Sequence, residues 1–271
     1  MVFSSLPFLF LFLTVVLLVS HLLPFKFRNF FLLLANLVFY AYGEPVYVLI
    51  MIASILVNFF AGVLMDKQPT QSRRRAVLVV GIVLNLAALG VFKYAGLFVD
   101  TLRGIPAFSS LPEVNIALPI GISFYTFQAV SYLIDVYWDD CEASHNFVNF
   151  ACYISLFPQL IAGPIVKYET VAQQIDHRKE IWADFSAGCS RFIVGLGKKV
   201  LLSNQLAVVA DRAFGQGDGL SASFAWLGAL CYTLQIYYDF SGYSDMAIGL
   251  GRIFGFRFNE NFDHPYCADS V

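Results

Sequence analysis

Apolar residues fall in long, nearly unbroken runs, not in the alternating or one-faced patterns of elements half-covered by water. The runs cover residues 5–23, 29–43, 45–65, 76–99, 115–137, 148–166, 185–209 and 223–256, and the stretches between them carry much of the charge. An apolar helix needs about 20 residues to cross the hydrocarbon of a bilayer, so each run is read as a transmembrane or re-entrant segment. The pattern predicts an all-α, polytopic integral membrane protein with about 7–9 transmembrane or re-entrant helices. They are expected to form a single membrane domain over residues 1–271.

Three runs need comment. The first is preceded by no basic residue and followed by no small-residue cleavage pattern, so it is read as a retained span and not a secretory signal. The sixth contains Phe157-Pro158-Gln159-Leu160-Ile161-Ala162-Gly163-Pro164, where two prolines remove backbone donors and Gly163 adds freedom. Non-helical backbone at membrane depth is tolerated only against protein or a watery cavity, which predicts a broken or re-entrant segment there. The last run is interrupted by Asp239-Phe240-Ser241-Gly242 and is compatible with two helices or with one long tilted helix.

Lys and Arg accumulate in short cytoplasmic loops. Lys26 and Arg28 follow the first run, and Lys67 with Arg73, Arg74 and Arg75 follow the third. Both loops are therefore placed inside, with the N-terminus and the Gly43-Glu44-Pro45 turn outside. Alternation then puts the 100–113 loop outside and the acidic 138–147 loop inside, an unusual placement for Asp139, Asp140 and Glu142. A re-entrant sixth segment returns Lys167, Arg178 and Lys179 to the inside.

Composition strengthens this reading. The chain is 58% hydrophobic and 13% charged, with a mean hydropathy of +0.68, whereas soluble domains average about 25% charged residues. A formal net charge of −2 offers no basic footprint, so nucleic acid is not an expected partner. Five cysteines without CxxC spacing argue against a disulfide framework, and no metal-ligand motif is present.

Charges inside apolar runs mark protein-lined or hydrated surroundings. Helical spacing puts Gln235, Asp239, Gly242 and Tyr243 on one stripe, with Asp245 about 120° from Asp239. This stripe either lines a polar passage or forms a hydrogen-bonded helix contact that Gly242 and Gly249 keep close. A second stripe runs through Gly121, Tyr125, Gln128, Tyr132 and Asp135, with the same two alternatives. Between Asp184 and Leu202, Phe185, Cys189, Phe192, Leu196 and Val200 share one helical face and Asp184, Arg191 and Lys198 another, which suits an interfacial helix. Arg191, Lys198 and Lys199 either snorkel to headgroups or bind phosphates of a nucleotide-containing donor. Of four histidines, His21 sits near a span end, His145 and His177 lie in loops, and His264 follows Asn261-Phe262-Asp263; none falls inside the polar group.

At these residues the sequence resembles the membrane-bound O-acyltransferase family. The resemblance rests on Met1-Val2-Phe3-Ser4-Ser5, Phe39-Tyr40-Ala41-Tyr42-Gly43-Glu44-Pro45, Pro119-Ile120-Gly121-Ile122-Ser123-Phe124-Tyr125-Thr126-Phe127-Gln128, the Phe157–Pro164 block and Tyr238-Asp239-Phe240-Ser241-Gly242-Tyr243-Ser244-Asp245, in family order. It implies a multi-pass enzyme of the bacterial inner membrane with no bound cofactor. Such an enzyme moves acetyl from a cytoplasmic thioester such as acetyl-CoA toward an exported polysaccharide such as alginate. A periplasmic acetyl-transfer protein and the exopolysaccharide assembly machinery are the implied partners. Gln128, Gln159, Gln235, Asp239, Tyr243 and Asp245 are expected to line or support the passage where donor and acceptor meet. The family histidine would lie beyond Val271, so the catalytic residue is unknown within this chain and His264 does not occupy its position. The chain is accordingly expected to be an inactive fragment. Two other classes fit the same residues: an ion-coupled transporter using Asp239 and Asp245, and a catalytically dead membrane scaffold.

Overall fold

The computed structural model describes residues 1–105, 108, 110, 112–113, 116–160, 163, 166–178, 181–262 and 265–267. Its helices are α1 (Pro7–Leu22), α2 (Phe25–Gly43), α3 (Val48–Asp66), α4 (Gln71–Arg103), α5 (Ile122–Tyr137), α6 (Phe147–Ser155), α7 (Phe157–Leu160), α8 (Tyr168–His177), α9 (Trp182–Phe214) and α10 (Ala222–Ile253). No strand occurs among the described residues. By length and composition α3, α4 and α9 can each cross a membrane, and α1 is a shorter apolar helix. The chain is an all-helical, multi-pass membrane protein.

Each of the eight apolar runs contributes a helix, with one departure from the expected layout. The fifth starts at Ile122 because Pro119 and Gly121, which holds a φ of 78°, end the extended approach to the helix. The last run is one continuous helix of 32 residues, the single-helix alternative of the two read from the sequence. The run containing Arg191 and Lys198 is a helix long enough to cross, which agrees with the 185–209 run as a span and not with an interfacial helix over Asp184–Leu202. Helix α8 falls outside every run; its buried Tyr168, Val171 and Ile175 recur at helical spacing in an otherwise polar segment.

The chain forms two compact units. The first comprises Leu23–Ile161 with Lys167–Ala172. Here Gly62 receives the Tyr132 ring and Gly81 the Leu133 side chain, so α3, α4 and α5 pack closely. Asn58 and Asn85 exchange amide hydrogen bonds of 3.0 and 2.8 Å in the buried interior. Part of the α5 stripe is used within this unit: the Tyr132 hydroxyl accepts from the Ser144 amide at 3.0 Å, while Asp135 Oδ2 is buried without a hydrogen-bond partner among the described residues.

Helix α5 closes through Asp139, which holds a φ of 62°. The Asp140 amide bonds back to the Asp135 carbonyl and the Asp139 amide to that of Val136, the double closure of a left-handed helix end. Arg74 grips this turn with two nitrogens on the Asp139 carboxylate and donates to the Val136 carbonyl at 2.8 Å. The hydrogen bond from Arg74 holds the Asp139 carboxyl below its usual range. His145 Nε2 lies 3.1 Å from Asp66. The acidic 138–147 loop therefore meets the end of α3 and the start of α4, on the same side as the basic loop between them.

The sixth run is broken as expected, at Leu156, whose ψ of 108° leaves the helix. Ending a helix frees carbonyls and amides that cannot stay unpaired in an apolar interior. Asn36, wholly buried on α2, accepts from the Phe157 amide at 3.2 Å and donates to Ser155 Oγ at 3.4 Å. Gln128 and Gln159 both donate to the Tyr153 carbonyl, at 3.3 and 2.9 Å. Pro158 lies in the first turn of α7, where its missing donor matters least. Of the remaining residues of the block, 161, 162 and 164 lie outside those described.

The second unit comprises Met1–Leu22, Ala162–Val166 and Gln173–Val271, and is built mainly of α1, α9 and α10. Helices α9 and α10 meet through glycines spaced seven apart on each: Gly188 against Gly249, and Gly195 against Gly242. A Cβ at Gly195 would stand 2.6 Å from the Gly242 carbonyl oxygen, and one at Gly249 would stand 2.7 Å from that of Gly188. The backbones touch because no side chain intervenes.

Two outcomes follow. Gly195→Ala overpacks backbone against backbone and should destabilise by about 1–3 kcal/mol. Gly197→Ala meets open space two residues away and should be neutral or stabilising by up to about 1 kcal/mol. Unfolding midpoints of the detergent-solubilised protein, read by size exclusion after heating, check the pair. Asn36→Leu removes the acceptor of the Phe157 amide and should lower stability by about 1–3 kcal/mol in the same assay.

Candidate functional site

The densest polar group among the described residues lies along the seam between α9 and α10. Helix α9 is α-helical to Gly197, widens to i→i+5 bonding over Lys198–Ser203, and resumes as α-helix at Asn204. A widened turn shifts the angular register of the residues it carries, and such turns often occur where side chains do special work. Both adjacent lysines of this turn reach α10. Lys198 Nζ donates to Asp245 Oδ2 at 2.6 Å and to Ser241 Oγ at 3.0 Å, while Lys199 Nζ lies 2.5 Å from Asp239 Oδ1.

One turn and more toward the start of α9, Arg191 reaches the same aspartate. Its Nε and one terminal nitrogen donate to Asp245 Oδ1 at 3.1 and 3.0 Å. The guanidinium also engages both oxygens of Glu260, in the segment beyond α10. Arg191, Gly195 and Lys198 follow i, i+4, i+7 spacing, so the cations flank the glycine contact. That close approach is what lets these side chains meet carboxylates on the neighbouring helix. Three cations face three carboxylates, and the group is neutral.

Burial separates the two aspartates. Asp245 is 16% exposed with both oxygens held by cations, whereas Asp239 is 43% exposed and uses one oxygen on Lys199. Asp245 is an anchored countercharge. Asp239 keeps an oxygen available to accept a hydrogen bond. Along the same helix the Tyr243 ring stacks on Phe3 with centroids 4.7 Å apart. Gln235 accepts from Ser203 Oγ through its carbonyl, and its side-chain Oε1 is enclosed with no partner among the described residues.

The six residues singled out in the sequence thus fall into two groups. Gln235, Asp239, Tyr243 and Asp245 lie on α10 in the second unit, and Gln128 with Gln159 meet at the Tyr153 carbonyl in the first. Arg191, Lys198 and Lys199 point to carboxylates, which corrects the expectation of simple snorkelling. The sequence did carry a signal for this partnership: Gly188 and Gly195 on α9 repeat the spacing of Gly242 and Gly249 on α10. Glu260 had no such signal, because its place depends on how the chain turns after Ile253. His264 lies outside the described residues. Among those described, no group of three or more His, Cys, Asp or Glu is placed to hold a metal ion.

Comparison with known proteins supplies the chemical context. Residues 142–269 match the membrane-bound O-acyltransferase family, a range that takes in the whole α9–α10 seam. Across its entire length the chain is 45% identical to a probable alginate O-acetylase of Pseudomonas aeruginosa, covering 53% of that protein. It is 32% identical to a peptidoglycan O-acetyltransferase of Helicobacter pylori, over 90% of this chain and 51% of the relative. More distantly, 59% of the chain aligns at 24% identity with 41% of a teichoic acid D-alanyltransferase of Bacillus subtilis. The chain spans about half the length of the curated relatives it matches. Residues 142–269 thus carry the membrane-bound O-acyltransferase match, and the whole chain is 41–46% identical to several alginate O-acetylases, on a polytopic helical fold.

Proposed function

We propose that this chain forms part of a membrane O-acetyltransferase of the bacterial inner membrane. It would move acetyl from a cytoplasmic thioester donor, such as acetyl-CoA, toward an exported polysaccharide such as alginate, working with a periplasmic acetyl-transfer protein and the polymer's assembly machinery. The observation that carries the reading is the 45% identity to an alginate O-acetylase over the whole chain. The polar seam in a greasy helix pair supports it, since reacting groups need an internal, hydrated place to meet.

In the transfer, an acceptor hydroxyl oxygen attacks the thioester carbonyl carbon. The C–O bond forms, the C–S bond breaks, the thiol leaves, and the hydroxyl proton passes to a general base. The family resemblance assigns that base to a histidine. On this chain, Asp239 is the residue proposed to accept the acceptor hydroxyl as a hydrogen bond, and Lys199 to steady its charge. Asp245, locked by Arg191 and Lys198, positions α9 against α10. Tyr243 and Gln235 continue the polar wall, while Gln128 and Gln159 support the break in the sixth run.

The two aspartates should respond differently. Asp239→Asn disturbs a half-exposed pair worth under about 1 kcal/mol, so it should leave the folded yield intact while lowering polymer acetylation tenfold or more. Asp245→Asn leaves Lys198 without a carboxylate and Arg191 with Glu260 alone at a largely buried site, and should lower stability by about 3 kcal/mol. Acetyl content of exported polymer, normalised to membrane protein, reads both. Full acetylation in Asp239→Asn, or proton uptake that needs no thioester, would overturn the assignment.

A further inference from the structure

A second site lies away from the polar seam. At the end of α1, the beginning of α9 and the end of α10, all within the second unit, a cavity of about 690 Å³ opens between the three helices. Leu17 and Leu18 form one wall, Trp182 and Phe185 another, with Arg252 and His21 among them. The lining is apolar apart from these two basic side chains and a threonine. We infer that this cavity holds an anionic phospholipid, its acyl chain on the leucine and aromatic walls and its phosphate on Arg252.

Four observations lead there. The volume is that of a ligand site and exceeds the need of a two-carbon acetyl group many times over. The wall is open on the bilayer side, where Leu18 is 61% and Trp182 80% exposed, so a chain can enter sideways. Trp182 stacks on Phe185 with centroids 5.3 Å apart and stands at the rim, the depth at which tryptophan marks the headgroup boundary.

Charge supplies the fourth. Arg191 and Arg257 each have a carboxylate partner, but Arg252 has none among the described residues. A guanidinium at the mouth of an apolar cavity fits a phosphate in planar, two-point geometry. His21 Nδ1 lies 2.9 Å from the Leu17 carbonyl, which can only accept, so its proton sits there. The cavity is at the end of α1 that precedes Lys26 and Arg28, the end the loop charges place in the cytoplasm. Anionic lipids concentrate in that leaflet.

The test uses the full chain reconstituted in phosphatidylcholine vesicles, with Trp138→Phe and Trp226→Phe leaving Trp182 as reporter. Phosphatidylglycerol brominated on its acyl chains should quench half-maximally at about a fivefold lower mole fraction than brominated phosphatidylcholine, the factor one surface cation provides. Arg252→Gln should abolish the preference and Arg252→Lys should keep most of it. Added inorganic phosphate should not reverse the quenching. Equal quenching by both lipids, a preference that survives Arg252→Gln, or reversal by phosphate alone would overturn the lipid assignment.

Discussion

The contact that the second unit depends on is backbone against backbone at two pairs of glycines. Side chains as short as aspartate and as flexible as lysine can form a compact ionic group between long helices only if the helix axes come unusually close. Gly188 with Gly249, and Gly195 with Gly242, set that distance. In lipid the hydrophobic effect does not press one apolar helix against another, so packing and polar pairing must do it. The glycines provide the first and Arg191, Lys198 and Lys199 the second. Neither is independent, since a wider seam would leave each charge without its partner in a medium that does not solvate it.

The same constraint shapes the first unit by a different route. There the helix containing Tyr153 stops at Leu156, and the exposed backbone groups are taken up by amide side chains from elsewhere in that unit. Asn36 supplies an acceptor to a stranded N–H, and Gln128 and Gln159 supply donors to a stranded carbonyl. Amides suit this task because they carry both functions without charge. A short, polar and non-helical piece of chain can then stay in the apolar interior.

How much of this was legible in the sequence depends on the range of the interaction involved. The helices were, because apolar runs near the length of a crossing leave few alternatives, and the break near Pro158 was legible because proline removes a donor wherever it sits. Gly242 and Gly249 announced a close helix neighbour. What the sequence alone did not give was which neighbour, since pairing of α9 with α10 is decided by three-dimensional packing. Gln128 and Gln159 illustrate the limit: their polarity in apolar runs is visible, but that both serve one carbonyl follows only from the fold. Helix α8 was missed because its three buried residues are too sparse to stand out against polar neighbours.

The ion pairs along the seam are graded, and the grading bears on chemistry. All three cations are neutralised, so a phosphate-bearing donor could be held here only by displacing a carboxylate. Asp245 cannot easily be displaced: two cations hold it and little solvent is present to replace them. Asp239 is more than twice as exposed and is held by Lys199 alone. Because attraction between charges weakens as water surrounds them, the Lys199–Asp239 pair is the more readily opened of the two, as the proposed function requires. The buried end of the seam keeps the helices in register, and under the proposed function the exposed end is where exchange with a substrate would occur without loosening them.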